Sequence, residues 1–144
     1  MADLIKIYTD GATVGKNKIG TTMEISIGIW IPHLNKGYGK RIPGISNNEA
    51  EFIALINGMK IAIKAGFKYV IFHMDSQIVC NRANGARPKA AKHKNQRMDN
   101  FQDMVYELKK YFTFVEFVWI PRERNKEADE ITKMYARRKQ SAKS

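Results

Sequence analysis

The chain has 144 residues, with one cysteine, Cys80, and four prolines. A lone thiol excludes a disulfide framework and a zinc site built from cysteines. A reducing, cytoplasmic setting is the expected one. No apolar run approaches the roughly 18 residues of a membrane span, and Met1-Ala2-Asp3-Leu4 does not read as a signal peptide. Apolar residues are not scarce: at 44%, with 27% charged, they exclude disorder over the whole length. A chain of this size is expected to form one domain, burying roughly 68–70% of its unfolded surface. Residues 1–139 are assigned to that domain and 140–144 to a disordered basic tail.

Acids are missing from two segments. Arg82 to Arg97 holds six basic residues and no acid, and Arg137 to Ser144 holds four and none. The rest of the chain carries 15 basic and 14 acidic residues, so nearly all of the net charge of +11 is local. A neutral body with two basic patches points to a polyanionic partner, nucleic acid above all. Neither patch is an amphipathic helix, which disfavours a membrane surface.

Hydrophobic periodicity predicts the elements. Leu4–Asp10 alternates as a strand, with Gly11 expected to stop it and Thr13–Gly20 to form a polar turn. Thr21–Ile31 is a second strand closed by Pro32, and Gly37–Ile42 a third ended by Pro43-Gly44. Phe52, Leu55, Ile56, Met59 and Ile63 line one face of a helix capped by Ser46, Asn47 or Asn48 and ended by Gly66. Tyr69–Met74 is a fourth strand and Ser76–Asn84 a short helix. A basic loop to Arg97 precedes a helix marked by Phe101, Met104, Val105 and Leu108. Phe114–Ile120 is a fifth strand, after which Asn125 caps a last helix with Ala128, Ile131 and Tyr135 inside. The order βββαβααβα predicts an α/β fold: a mixed five-stranded sheet, three antiparallel strands then two parallel, flanked by helices. Trp30, Trp119 and the methionines are expected in the core, and His73 on a strand beneath a helix.

Four acids stand where elements begin or end. Asp10 closes the first strand and Asp75 the fourth, while Glu51 and Asp129 lie in first helical turns. Parallel pairing of strands one and four would set Asp10 beside Asp75 at the sheet edge where α/β proteins place their sites. Singly each acid has a structural explanation, including capping boxes at Ser46-x-x-Glu49 and Asn48-x-x-Glu51. Together, on a basic protein, they require a compensating charge, and oxygen-only ligands suit Mg²⁺ or Mn²⁺. Two such ions about 4 Å apart form the clamp used for in-line phosphodiester hydrolysis.

The residues around these acids resemble a known family. Tyr8-Thr9-Asp10-Gly11-Ala12, Ser46-Asn47-Asn48-Glu49-Ala50-Glu51-Phe52, Met74-Asp75-Ser76-Gln77 and Arg122-Glu123-Arg124-Asn125-Lys126-Glu127-Ala128-Asp129 resemble, in order, the four motifs of type 1 ribonuclease H, in its bacterial and archaeal branch. The resemblance implies an endonuclease whose substrate is the RNA strand of RNA/DNA hybrids, cut with two Mg²⁺ ions (Mn²⁺ substituting) to leave a 3′-hydroxyl and a 5′-phosphate. It implies a catalytic, metal-holding tetrad of Asp10, Glu51, Asp75 and Asp129, and selects Glu51 over Glu49. It further implies hybrid contacts from Ser46, Asn47, Asn48 and Gln77, with Asn48 and Gln77 in the minor groove where the 2′-hydroxyl is exposed. Lys89, Lys92 and Lys94 occupy the place of the family's basic protrusion, here compressed into Gly85–Arg97. Many members carry a histidine before the last acid that serves product release. None of His33, His73 or His93 lies there, so Arg122 or Arg124 takes that position. A monomer is expected, with the hybrid as its partner and no protein partner implied. The alternatives are a nuclease of the same fold with broader specificity, including double-stranded RNA, and a non-catalytic nucleic-acid-binding module.

Overall fold

The computed structural model describes residues 3–16, 23–89 and 95–137. Strands β1 (Ile5–Lys16), β2 (Met23–Ile31) and β3 (Lys36–Pro43) are followed by helix α1 (Asn47–Lys64), strand β4 (Tyr69–Met74), helices α2 (Gln77–Ala83) and α3 (Gln96–Lys109), strand β5 (Phe114–Trp119) and helix α4 (Lys126–Arg137). The strands form one sheet in the order β3-β2-β1-β4-β5. β1–β2 and β2–β3 are antiparallel, whereas β1–β4 and β4–β5 are parallel. This is the mixed five-stranded α/β sheet expected from the element order.

Side-chain alternation divides the sheet into two faces. Ile25 and Ile27 of β2 cluster with Ala50 and Ala54 of α1. On the same face Ile5, Ile7, Ile29, Phe72 and Phe52 join the main core with Val105 of α3. The intervening β2 residues face α4: the Ser26 hydroxyl donates to the Thr132 carbonyl at 2.6 Å. A Cβ on Gly28 would stand 2.4 Å from the Ala128 carbonyl oxygen, so α4 lies directly on that backbone.

Several sequence expectations need correction. Gly11 does not stop β1, and Thr13–Lys16 is strand rather than turn, with a register irregularity between Thr13 and Gly15. Gly11 has a packing reason instead, since a Cβ there would lie 2.4 Å from the Ala50 backbone of α1. Helix α1 is capped by Ser46, whose hydroxyl accepts the Glu49 amide proton. The Glu49 carboxylate does not complete the capping box but pairs with Arg97. Met104 and Trp119 are exposed, the first on the outer side of α3 and the second at the end of β5. Met134 is exposed too, so the methionines are not uniformly core. His73 stacks on Tyr8 of the adjacent strand, ring centroids 4.5 Å apart. Cys80 is buried and free, as packing required.

Candidate active site

The pairing of β1 with β4 ends at Thr9 and Met74, and each chain continues with an aspartate. Parallel alignment therefore delivers Asp10 and Asp75 to the same point on the sheet edge. The close approach of α1 over Gly11 brings the helix's first turn to that point and Glu51 with it. Ligand-capable oxygens of Asp10, Glu51 and Asp75 all lie within 4.8 Å of one another.

This is an expensive arrangement for a metal-free protein. Asp10 and Glu51 are buried, and a buried carboxylate loses the hydration that favours its charge. Burial, followed by the Asp75 charge, pushes the Asp10 carboxyl up to about 7, against a smaller lowering by the Thr132 hydroxyl. Burial, then Asp10, then Asp75, raises Glu51 to about 10. The Glu51 Oε1 atom is buried and has no hydrogen-bond partner. Three converging carboxylates, one with an orphaned oxygen, form a donor set suited to a hard divalent cation.

Asp129 sits beside this group rather than in it. Its charge also raises Asp10, but its carboxylate pairs with Lys133 at 3.0 Å. Of the two candidate arginines, both exposed in the turn Arg122–Arg124, Arg122 is the one whose charge acts on Asp10, lowering its pKa. Gln77 is exposed at the start of α2. Asn48 and Lys89 line one cleft of about 530 Å³ together with Ile78, Arg82, Pro88 and Asn95. The Asn47 Oδ1 atom accepts from the Thr13 amide at 2.9 Å and from its hydroxyl at 3.1 Å, which ties α1 to β1. Lys92, Lys94 and His93 lie outside the described residues, as does the tail.

Sequence reasoning missed the partners of these acids. Asn125, taken as a helix cap, instead donates its side-chain amide to Asp75 Oδ2 at 2.9 Å. Trp119 donates its indole N–H to the Asp75 carbonyl at 3.1 Å. Glu49, within the second motif, is clasped by Arg97 through both carboxylate oxygens at 2.9 Å. No local pattern links residues that lie 44 to 50 positions apart.

Residues 34–135 match a family described as reverse transcriptase-like. The chain belongs to this family. Among solved structures, its fold is shared by ribonuclease H1 from the halophilic archaeon Halobacterium salinarum, with a TM-score of 0.74 and 23% identity, covering 92% of this chain and 97% of that one. LC11 ribonuclease H1, isolated from compost and solved in complex with an RNA/DNA hybrid, gives 0.70 at 27% identity, covering 90% and 94%. The ribonuclease H domain of prototype foamy virus gives 0.69 at 17%, covering 94% and 96%. Membership of the reverse transcriptase-like family and these likenesses identify the fold as that of ribonuclease H. Among the described residues, no helix is long and apolar enough to cross a membrane.

Proposed function

We propose that this protein is an endonuclease that hydrolyses the RNA strand of RNA/DNA hybrids, leaving a 3′-hydroxyl and a 5′-phosphate. The observation that carries the reading is the convergence of Asp10, Glu51 and Asp75 within 4.8 Å, at the place where the four motifs locate the reaction. The 27% identity to a ribonuclease H1 solved with a hybrid adds support. Two divalent ions, Mg²⁺ with Mn²⁺ as a substitute, would supply water activation and stabilisation of the leaving oxygen.

Asp10, Glu51 and Asp75 are the protein's contribution to holding those ions, and Asp129 completes the tetrad from the first turn of α4. Their burial and mutual repulsion favour ion uptake, because a bound cation relieves both. Ser46, Asn47, Asn48 and Gln77 meet the hybrid, with Asn48 and Gln77 reading the groove that displays the 2′-hydroxyl. Lys89, Lys92 and Lys94 bind its phosphates. Arg122 is favoured over Arg124 as the residue assisting product release, since its charge already acts on Asp10. The protein works as a cytoplasmic monomer, with residues 1–139 forming one domain.

The test is cleavage of one end-labelled RNA strand, presented alone, paired with RNA and paired with DNA, in Mg²⁺ and in EDTA. The expected result is cutting of the DNA-paired strand alone, abolished by EDTA. In Asp10→Asn cutting should fall to background while hybrid affinity stays within a few-fold of the parent. Equal cutting of the RNA duplex would replace the reading with a broader nuclease. Hybrid binding with no cutting in either Mg²⁺ or Mn²⁺ would replace it with a binding module.

A further inference from the structure

Among the described residues, three of the four α-helices begin with a residue whose side chain caps the helix. The hydroxyls of Ser46 and Ser76 accept the Glu49 and Val79 amide protons, and Asn95 Oδ1 accepts that of Met98. Asn125 occupies the equivalent place before α4, where its carbonyl accepts the Asp129 amide proton at 3.0 Å. Its side chain does something else. The amide nitrogen donates to the Thr9 carbonyl and to Asp75 Oδ2, both at 2.9 Å, and Oδ1 is buried with no partner. A fully buried asparagine that forgoes the helix cap and leaves its own oxygen unpaired is held there by what its nitrogen touches.

The path of the chain explains how it gets there. The last backbone rung between β4 and β5 is the bond from the Ile120 amide to the Met74 carbonyl, at 2.8 Å. The next residue, Pro121, has no N–H and cannot continue the ladder. The Asp75 carbonyl is taken instead by the indole of Trp119. The 3-10 turn Arg122–Arg124 then returns the chain so that Asn125 meets the Asp75 carboxylate. Asp75 is thus gripped at its backbone and at one carboxylate oxygen, both times by the segment Trp119–Asn125.

We infer that Asn125, seconded by Trp119, is the positioning residue of Asp75: by holding Oδ2 it fixes the carboxylate where Asp75 converges with Asp10 and Glu51. The inference rests on the reading of Asp75 as a metal ligand. Neighbours that orient a ligating carboxylate typically change metal affinity by about 10–100-fold when removed.

Calorimetric titration of the folded full chain with Mn²⁺ alone tests this without reference to cleavage. Asn125→Ala should weaken Mn²⁺ binding by about 10–100-fold. In hybrid cleavage it should lower kcat at limiting metal, leave KM within about twofold, and regain part of its rate in excess Mn²⁺. Trp119→Phe keeps an exposed aromatic ring but has no N–H to donate, and should weaken binding by about threefold to tenfold. Arg41→Ala, which unties the end of α4 from β3 far from Asp75, serves as a destabilised control and should keep the parental affinity. Parental Mn²⁺ affinity in both Asn125→Ala and Trp119→Phe overturns the inference. If Asn125→Ala does not fold, Trp119→Phe decides it alone. A parent that binds Mn²⁺ yet cuts nothing would sink the proposed function and leave this inference standing. A parent that binds no Mn²⁺ would sink both.

Discussion

Asp10 and Glu51 make the metal-free site a source of instability whose sign can be worked out. The Asp10 carboxyl moves from 3.8 to about 7 on folding, and Glu51 from 4.5 to about 10. Above pH 4 the unfolded chain has released protons that the native state still holds, so native stability falls as pH rises through that window. In EDTA the Tm should therefore decline between pH 5 and pH 8. Asp10→Asn removes from the Asp10–Glu51 pair the acid whose ionised form burial and the Asp75 charge disfavour, and should stabilise the metal-free protein at pH 8. Three pKa units correspond to roughly 4 kcal/mol. The pair titrates jointly, so a gain of about 2 kcal/mol, or about 5–8 °C in Tm, is the expectation. Scanning calorimetry of both proteins in EDTA at pH 5 and pH 8 measures it, and a less stable Asp10→Asn at pH 8 would refute the electrostatic account. The acids themselves were legible in the sequence, because each follows a strand or opens a helix whose period is plain. Asn125 and Trp119 were not. An asparagine before a helix reads as a cap by type, and a tryptophan on a strand reads as core. Only the pairing of β5 with β4, for Trp119, and the return of the chain after Pro121, for Asn125, reveal that both meet Asp75.

At the scale of elements, two glycines decide how close the helices come to the sheet. Gly11 admits the first turn of α1, and Gly28 admits α4. A Cβ on Gly28 would meet the backbone of α4 at the Ala128 oxygen, 2.4 Å away, and at the Thr132 nitrogen, 2.8 Å away. Backbone cannot rotate aside as a side chain can, so Gly28→Ala must push the whole helix outward and carry Asp129 away from Asp10. A cost of about 2 kcal/mol is expected, in the range for overpacked cores, together with weaker Mn²⁺ binding. Urea denaturation and metal titration of the same sample check both, and a midpoint equal to the parent's would mean that α4 does not need this approach. The periodic elements were read correctly for a physical reason: burial on one face imposes the alternation in β4 and the helical spacing in α1. Element ends were misread where a residue serves a neighbour rather than its own strand. Gly11 looked like a stop signal because its function, clearance for α1, belongs to a helix 40 residues later.

Across the whole molecule the charge pattern changes meaning once the partners are known. The run Arg82–Arg97 reads in sequence as six free cations. Arg82 pairs with Asp99 at 2.7 Å, Arg87 with Asp103 at 2.6 Å and Arg97 with Glu49 at 2.9 Å. These arginines fasten α2, α3 and the intervening loop to one another and to α1. Gln102, fully buried, completes the fastening by donating to the Arg82 and Ala86 carbonyls. Among the described residues of the run, Lys89 is exposed at the cleft that also holds Asn48, where the proposed function has it meet phosphate. Each lysine that contacts a phosphate adds about 1 to the slope of log affinity against log salt. Replacing Lys89, Lys92 and Lys94 by alanine in an Asp10→Asn background should thus lower that slope by about 2–3 and weaken hybrid binding most at low salt. Arg87→Ala, which opens an exposed ion pair of small energetic value, should leave the slope unchanged. Anisotropy titrations of a labelled hybrid over a series of salt concentrations separate the two. A slope unmoved by the triple substitution would take the basic run out of the binding surface, and a slope moved equally by Arg87→Ala would mean that the ion pairs yield to the hybrid when it binds.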